Sequence, residues 1–423
     1  MTAPDAQAVV AALKAQAKVT PGGADALTQA EKALRRFVWF PEPRHFDVVT
    51  LWAAYTHLLT RCPDLPIAPR LGFFSGSPGS GKTRALEILS RLAANGQDVG
   101  SLSAAAMLRI IGAAATADEP GAHPVTLFPD ELDRTYSANS AGNQDDLTII
   151  LNSGYKRGAV VVRAHKDKQQ EVIRYPCFGP VAFAGLATAR LPDALLTRTF
   201  VVHTKRARPE ERPDSFLPVA HQDDLTNVRA SLADWAAESA LRISEPADML
   251  ALLLDERITA VTDGRDHEIW SCLFLTAVLA GGVWPERCLA AIEAAKEDTA
   301  DRMDRSPSAR LLTTLRRHYS SRPAEVWPVG ISKEDIASTA IDLDPLTFER
   351  FDGREELRSA DVADLLREHG LKQVRVRTAH GRSYGYRWSA LRDAWERALP
   401  PLVETDEDDG PEDESGATVS LFR

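Results

Sequence analysis

The stretch Gly76-Ser77-Pro78-Gly79-Ser80-Gly81-Lys82-Thr83 constrains this chain more than any other, because it fits G-x-x-x-x-G-K-[ST] at every fixed position. The apolar run Leu71-Gly72-Phe73-Phe74-Ser75 precedes it and the helical pattern KTRALEILSRLAA follows. A glycine-rich turn between a buried strand and a helix is the setting in which the motif has physical meaning. Glycines let successive backbone N–H groups converge on phosphate oxygens, and the helix adds the partial positive charge of its N-terminus. In that reading residues 76–83, with Arg84, cradle ATP. Lys82 reaches the β- and γ-phosphates, and the Thr83 hydroxyl is a ligand of Mg2+. A plain glycine turn is the bland alternative, but such a string arises by chance in roughly one chain of this length in a hundred.

A nucleotide site of this kind needs an acid from a second strand. The run Val125-Thr126-Leu127-Phe128 ends in Pro129-Asp130-Glu131, and the carboxyl end of a buried parallel strand opens on the ligand crevice of an α/β sheet. Asp130 there holds the metal, and Glu131 orients and deprotonates the attacking water. Pro129 is expected to bend the strand or end it early. Thr188, closing VAFAGLAT, is the polar residue expected on a strand between these two, where it senses the γ-phosphate or places the water; an ordinary strand-terminal threonine is the other reading. Arg198 in DALLTRTF either serves a neighbouring subunit's phosphate as an arginine finger or forms a structural ion pair. Arg265, before DHEIW, is a weaker candidate for a lid arginine.

Strands such as GPVAFAGLAT and TFVVHT, alternating with helical segments such as DDLTIILNSG, predict an α/β domain with a parallel sheet flanked by helices. The boundaries predicted are an N-terminal helical segment 1–60, a P-loop core 61–208, an all-α lid 209–303, a winged-helix-like module 304–399 and an acidic tail 400–423. The module is read from the helices KEDIAST and SADVADLLREHG, the strands QVRVRT and SYGYRW, and a last helix ALRDAWERAL. Pro/Glu/Arg-rich ARPEERPDSFLP is expected to be a linker. No apolar run approaches the ~18–20 residues of a membrane span, and the amino terminus lacks a secretory signal. Cys62, Cys177, Cys272 and Cys288 lie far apart without metal-ligand spacing, so they are expected to be reduced thiols of a cytoplasmic protein.

The formal net charge of −10 is unevenly spread. Residues 404–414 hold eight acids and no base, so the remainder carries −10 − (−8) = −2. Such a block is expected to be a disordered, solubilising tail. Between the strands of Asp130 and Thr188, GAVVVRAHKDKQQEVIRY reads as a hairpin with His165, Lys166 and Lys168 near its tip. Those cations can follow a nucleic-acid backbone through a ring pore, or simply be solvated. The second hairpin carries Arg375, Arg377, Arg382 and Arg387 with Tyr384, Tyr386 and Trp388, a composition that suits DNA or a docking face for protein.

The order of these motifs resembles the AAA+ branch of P-loop ATPases. It is also similar to a domain family of unknown function from phages, plasmids and integrative elements. That second likeness spans about Phe37 to Asp298 and is carried by LWAAYTHLL, GSPGSGKT, LFPDELDRTY, LNSGYKRG, FGPVAFAGLATARLPDALLTRTFVV and AGGVWPERCLAAIEAA. The hairpin placement resembles superfamily-three replicative helicases, which put Lys and His at such a tip. These likenesses imply an ATPase with a helical lid, a homo-oligomer such as a hexameric ring, and a role beside DNA and replication proteins. Two functions are consistent with the sequence: an ATP-driven DNA motor, and a nucleotide-gated adaptor with slow turnover.

Overall fold

Two helices open the described chain, α1 (Gly23–Phe37) and α2 (Pro43–Arg61). In α1 the buried positions Ala26, Leu27, Ala30, Leu34 and Phe37 recur at helical steps, so one stripe faces the core. In α2 every residue from His45 to Leu59 is buried, the mark of a helix enclosed on all sides. Its first residue is Pro43, at a position where the missing N–H breaks no helical bond. This computed structural model describes residues 22–75, 79–100, 102–115, 124–130, 141–164, 171–186, 191–243, 245–320, 330–349, 351, 356–378 and 381–399.

The apolar run expected as a strand is β1 (Arg70–Ser75), buried at every residue. After it come α3 (Lys82–Leu92), β2 (Gly96–Val99), α4 (Ala104–Ala115), β3 (Thr126–Pro129) and α5 (Ala141–Ser153). The start of α4 is capped by Ser103, whose Oγ accepts from Ala106 N at 3.2 Å. An antiparallel hairpin of β4 (Val160–Ala164) and β5 (Val172–Pro176) precedes β6 (Ala182–Leu186) and β7 (Thr199–His203).

β1 pairs in parallel with β6 on one side and β7 on the other, and β2 pairs in parallel with β3. A parallel bridge, Leu127↔Val181, and a 3.0 Å bond from Leu127 N to Pro180 O join β3 to β6. The order is therefore β2-β3-β6-β1-β7, with β6 between the two strands that carry the motifs. β2 was not expected, since GQDV is short and polar; it is an edge strand with no fully buried residue. Pro129 stays in the ladder as the last residue of β3, opposite Val99.

Successive strand residues point to opposite faces. Phe73, Phe128, Ala182 and Ala184 join the core of α1, α2 and α3, whereas Phe74, Leu127 and Phe183 join that of α4 and α5. The first core extends into α6 (Pro218–Ala240), α7 (Gly264–Ala280) and α8 (Trp284–Arg305) through Leu232, Trp235, Leu273 and Ile292. The segment expected as a linker packs onto this core. Phe216 is buried edge-on to Phe37 at 5.2 Å, and Asp214 N donates to Arg36 O at 2.8 Å. All four cysteines are buried and unpaired.

The chain divides into two compact units, residues 1–295 and 296–423. The second contains α9 (Pro307–Ser320), β8 (Gly330–Ser332), α10 (Lys333–Leu343), α11 (Ser359–Glu368), β9 (Val374–Thr378), β10 (Gly381–Arg387) and α12 (Trp388–Ala398). Its sheet is antiparallel in the order β8-β10-β9. Leu312, Leu315, Ile336, Val362, Leu366 and Leu391 form its core. Trp388, expected to end a strand, instead opens α12 and packs against Tyr319 with ring centroids 4.0 Å apart. Among the described residues no helix is long and apolar enough to cross a membrane.

Candidate nucleotide site

The end of β1, the start of α3 and the end of β3 meet at one place. Gly81 precedes α3 with φ +86° and Gly79 has φ +73°, left-handed values that a side chain would strain. A Cβ at either glycine would meet nothing within 4 Å, so the backbone is bare on its open side. No side chain caps α3 and no acid lies in its first turn. A helix of this length usually recruits one or the other for its orphan N–H groups.

Lys82 begins α3, and its ammonium donates to Ser75 Oγ at the end of β1 and to Ser80 Oγ at 3.4 Å. Both acceptors are neutral hydroxyls. Among the described residues no carboxylate pairs with Lys82, and the two hydroxyls hold its ammonium in position. Thr204, just past β7, fixes the same loop: its N and Oγ1 donate to Phe74 O at 2.7 and 3.2 Å, and Oγ1 donates to Ser80 Oγ at 3.2 Å. Ser75 and Thr204 were not foreseen as site residues. Their one signal was a polar residue closing an apolar strand, the same signal that singled out Thr188.

Thr83 Oγ1 donates to Asp130 Oδ2 at 2.8 Å across 47 residues of chain. Asp130 is fixed in turn by its N–H on Val99 O at 3.3 Å, which makes β2 part of the site's support. A hydroxyl and a carboxylate oxygen side by side match the all-oxygen preference of Mg2+. The expected grouping of Lys82, Thr83 and Asp130 is thus brought together, with Gly79, Ser80 and Gly81. Arg84 turns its side chain elsewhere, donating to Phe216 O at 3.1 Å and pairing with Glu87 at 3.4 Å. Gly76, Ser77, Pro78, Glu131, His165, Lys166, Lys168 and Thr188 lie outside the described residues.

Arg198 and Arg265 belong to the other end of the sheet. Arg70 N donates to Arg198 O at 2.8 Å where β1 begins, and β1 runs six residues, about 16 Å, before it reaches Ser75. The Arg198 guanidinium donates to Ala194 O and stands 4.7 Å over the Tyr155 ring; burial lowers its pKa, with Glu268 opposing. Arg265 donates to the hydroxyl of the same Tyr155 and pairs with Glu268 at 2.8 Å. Arg265 is therefore no lid arginine over this chain's own Lys82, because Tyr155 and Glu268 hold it at the far edge. Arg198 is likewise out of reach of Lys82 in the same chain.

The family described as Protein of unknown function (DUF3631) matches residues 203–398, just under half of the chain. That stretch takes in AGGVWPERCLAAIEAA and the second unit but not the phosphate loop, whereas the resemblance expected from sequence centred on residues 37–298. No curated protein matches the sequence. Among solved structures the chain is similar to the SCCmec type IV Cch active helicase, with 11% identity and a TM-score of 0.38 over 81% of this chain and 68% of that one. It is also similar to the apo A form of the NrS-1 C-terminal region, with 10% identity and a TM-score of 0.35 over 86% of this chain and 75% of that one. Both scores are low, and the functional reading stands on the chain's own geometry.

Proposed function

We propose that the chain is a Mg2+-dependent ATPase of the AAA+-like P-loop class, built to drive a DNA-directed motor of mobile-element replication or maintenance. One observation carries the ATPase reading: Thr83 Oγ1 meets Asp130 Oδ2 at 2.8 Å beside a lysine with no carboxylate partner among the described residues. The bare positive-φ glycines and the uncapped α3 fit a polyphosphate. The Thr83–Asp130 oxygen pair fits Mg2+, which when bound offsets charge on the phosphoryl oxygens.

In this reading the chain's own groups divide the work. Backbone N–H groups at Gly79 to Lys82 and the α3 N-terminus bind and orient the phosphates. Lys82, positioned by Ser75 and Ser80, supplies the cation. Glu131, one residue beyond Asp130 in sequence, takes the proton of the attacking water, and Thr188, two residues past β6 in sequence, senses the γ-phosphate or places the water. Arg198, remote from its own site, is suited to a neighbouring subunit in a homo-oligomer. The second unit, whose helices α10 and α11 fall between β8 and the β9–β10 hairpin of its antiparallel sheet, is read as winged-helix-like, and its β9–β10 arms carry the basic residues directed at DNA.

The test is steady-state ATP hydrolysis with and without single- and double-stranded DNA, with subunit mass measured in the same buffer. Lys82→Ala is expected to abolish nucleotide binding and turnover, while Glu131→Gln keeps binding and loses turnover. Wild-type turnover by Lys82→Ala would sink the ATPase reading. ATPase activity indifferent to DNA, in a protein that binds none at low salt, would sink the motor reading alone.

A further inference from the structure

Antiparallel register puts four long side chains on one face of the β9–β10 ribbon. Arg377 stands directly opposite Arg382, and Arg375 directly opposite Tyr384. The alternate residue Val376 is buried, which turns Arg375 and Arg377 outward. Tyr384 is 53% exposed, and the Arg375 guanidinium lies 5.5 Å from its ring centroid. Among the described residues none of Arg375, Arg377 and Arg382 has an ion-pair partner. Two like charges directly opposite on adjacent strands destabilise a ribbon. Ser383, on the opposite face of β10, reaches Glu334 of α10 at 3.5 Å, but the outward face keeps its three arginines without an ion-pair partner among the described residues and is complementary to a polyanion.

Helices α10 and α11 of this unit carry the opposite sign. The exposed positions of α11 are Ala360, Asp364, Arg367 and Glu368, and Arg367 is already paired with Asp364 at 2.6 Å. In α10 Glu334 and Asp342 are exposed. A helix entering a DNA groove needs cations or neutral donors on that face; α11 would instead bring Asp364 and Glu368 against phosphates. By charge the ribbon, not α11, is the face of this unit suited to a polyanion.

We propose that the β9–β10 ribbon binds single-stranded nucleic acid, with Arg375, Arg377 and Arg382 on successive phosphates and Tyr384 as the ring on which a base stacks. This deepens the DNA-directed reading above and rests on it. Binding is independent of sequence, since no side chain of the face is placed to read base edges from a groove.

The experiment is fluorescence anisotropy of the full-length protein with a labelled deoxythymidine 20-mer and with a duplex of equal length, across a salt series. The variants are Arg377→Glu/Arg382→Glu, the matching Lys pair, Tyr384→Ala and Asp364→Ala. The charge reversal is expected to weaken single-strand binding at least tenfold and to flatten the salt slope by about 1.4, the value for two lost phosphate contacts. The lysine pair retains most of the affinity. Tyr384→Ala weakens single-strand binding roughly fivefold or more while leaving the duplex unchanged. Asp364→Ala has little effect on either. DNA-free ATPase activity should equal wild type in every variant, and unchanged far-UV circular dichroism and tryptophan fluorescence, with Trp388 and Trp395 in the second unit, show that the ribbon's own unit folds. If the charge-reversed protein binds the single strand like wild type, the ribbon is not the contact, even though DNA binding and ATPase survive elsewhere. If Tyr384→Ala acts on both DNAs alike, or the duplex binds more tightly, the single-strand assignment falls. If wild type ignores nucleic acid but captures a synthetic peptide of residues 404–414, the face docks acidic protein and the proposal is overturned.

Discussion

The two ends of the parallel sheet are built on different principles. At the end where β1 begins, side chains donate to backbone carbonyls. Trp52 Nε1 bonds Pro69 O at 2.9 Å and Tyr55 Oη bonds Ile67 O at 2.7 Å. Arg157 bonds Leu65 O and Leu59 O at 2.8 and 3.2 Å, and buried Arg70 bonds Leu151 O at 2.9 Å as well as Gly179 O. Backbone acceptors cannot rotate away, so these bonds pin α2, α5 and the entry to β6 onto the sheet. At the end where β1 finishes, the backbone bonds of Thr204 to Phe74 O and of Asp130 to Val99 O set the frame, but the groups aimed at the ligand are tied only by side chains: Lys82 to Ser75 and Ser80, Thr204 to Ser80, Thr83 to Asp130. Hydroxyls swing about one torsion and exchange partners cheaply. One end is fixed so that the other can trade its internal bonds for a ligand's.

The comparison predicts that substitutions at the site end damage turnover rather than stability. Asp130→Ala should lower kcat by roughly a hundredfold or more, the loss typical when one preorganised electrostatic group is removed. Its unfolding free energy should stay within about 0.5 kcal/mol of wild type. Steady-state kinetics over a Mg2+ titration, beside urea denaturation of the same preparation, reads both. An Asp130→Ala protein that turns over normally, or that unfolds far more easily than wild type, breaks the distinction.

At the fixed end the effect should be the reverse. Arg70 is fully buried without a carboxylate partner among the described residues, and burial pulls its pKa down to about 9, so it remains protonated at neutral pH. Carbonyls at the C-terminus of α5 suit a cation, because the helix dipole is negative there. Arg70→Ala leaves Leu151 O and Gly179 O without their donor and is expected to cost about 3 kcal/mol of stability. At a temperature where the variant is folded, its kcat should move only a few-fold. Urea midpoints separate the cases, and a stability equal to wild type would show that these carbonyls find other partners.

This division explains what could be read in advance. The phosphate loop, β1, α3 and Asp130 were legible because their chemistry is local: fixed spacing, glycine at positive-φ positions, and an acid closing an apolar run. The core strands and most helices followed from periodicity, whereas β2 did not, because a short polar edge strand has no apolar pattern to detect. The fixed end was almost illegible. Arg70 looks like any charged residue before a strand, and its acceptor Leu151 O lies 81 residues away on a group common to every residue. Arg198 and Arg265 were singled out by residue type alone, and type does not say which end of a sheet an arginine occupies. On the ribbon, Arg377 and Arg382 were visible as basic residues, but only the register shows that they face each other.

The smallest predicted effect concerns pH and again belongs to the fixed end. Helix α3 starts at the site and runs back about 16 Å to Leu92, whose carbonyl accepts from His57 Nε2 at 2.8 Å. Burial, only partly offset by this bond, holds the His57 pKa down at about 4, against 6.5 unfolded. Because the folded value is the lower one, the unfolded chain binds the proton first, and stability present above pH 6.5 is lost as pH falls towards 4. Between pH 7 and pH 5 the loss from this group should be about 2 kcal/mol. His57→Gln removes the titration, so its thermal midpoint should fall less than that of wild type over the same interval, whatever its stability at pH 7. Parallel curves for the two proteins would mean that His57 does not sense acid. Steeper acid loss in the variant would place the sensitive group elsewhere, and the end of the sheet that anchors α3 would then not be its acid-labile one.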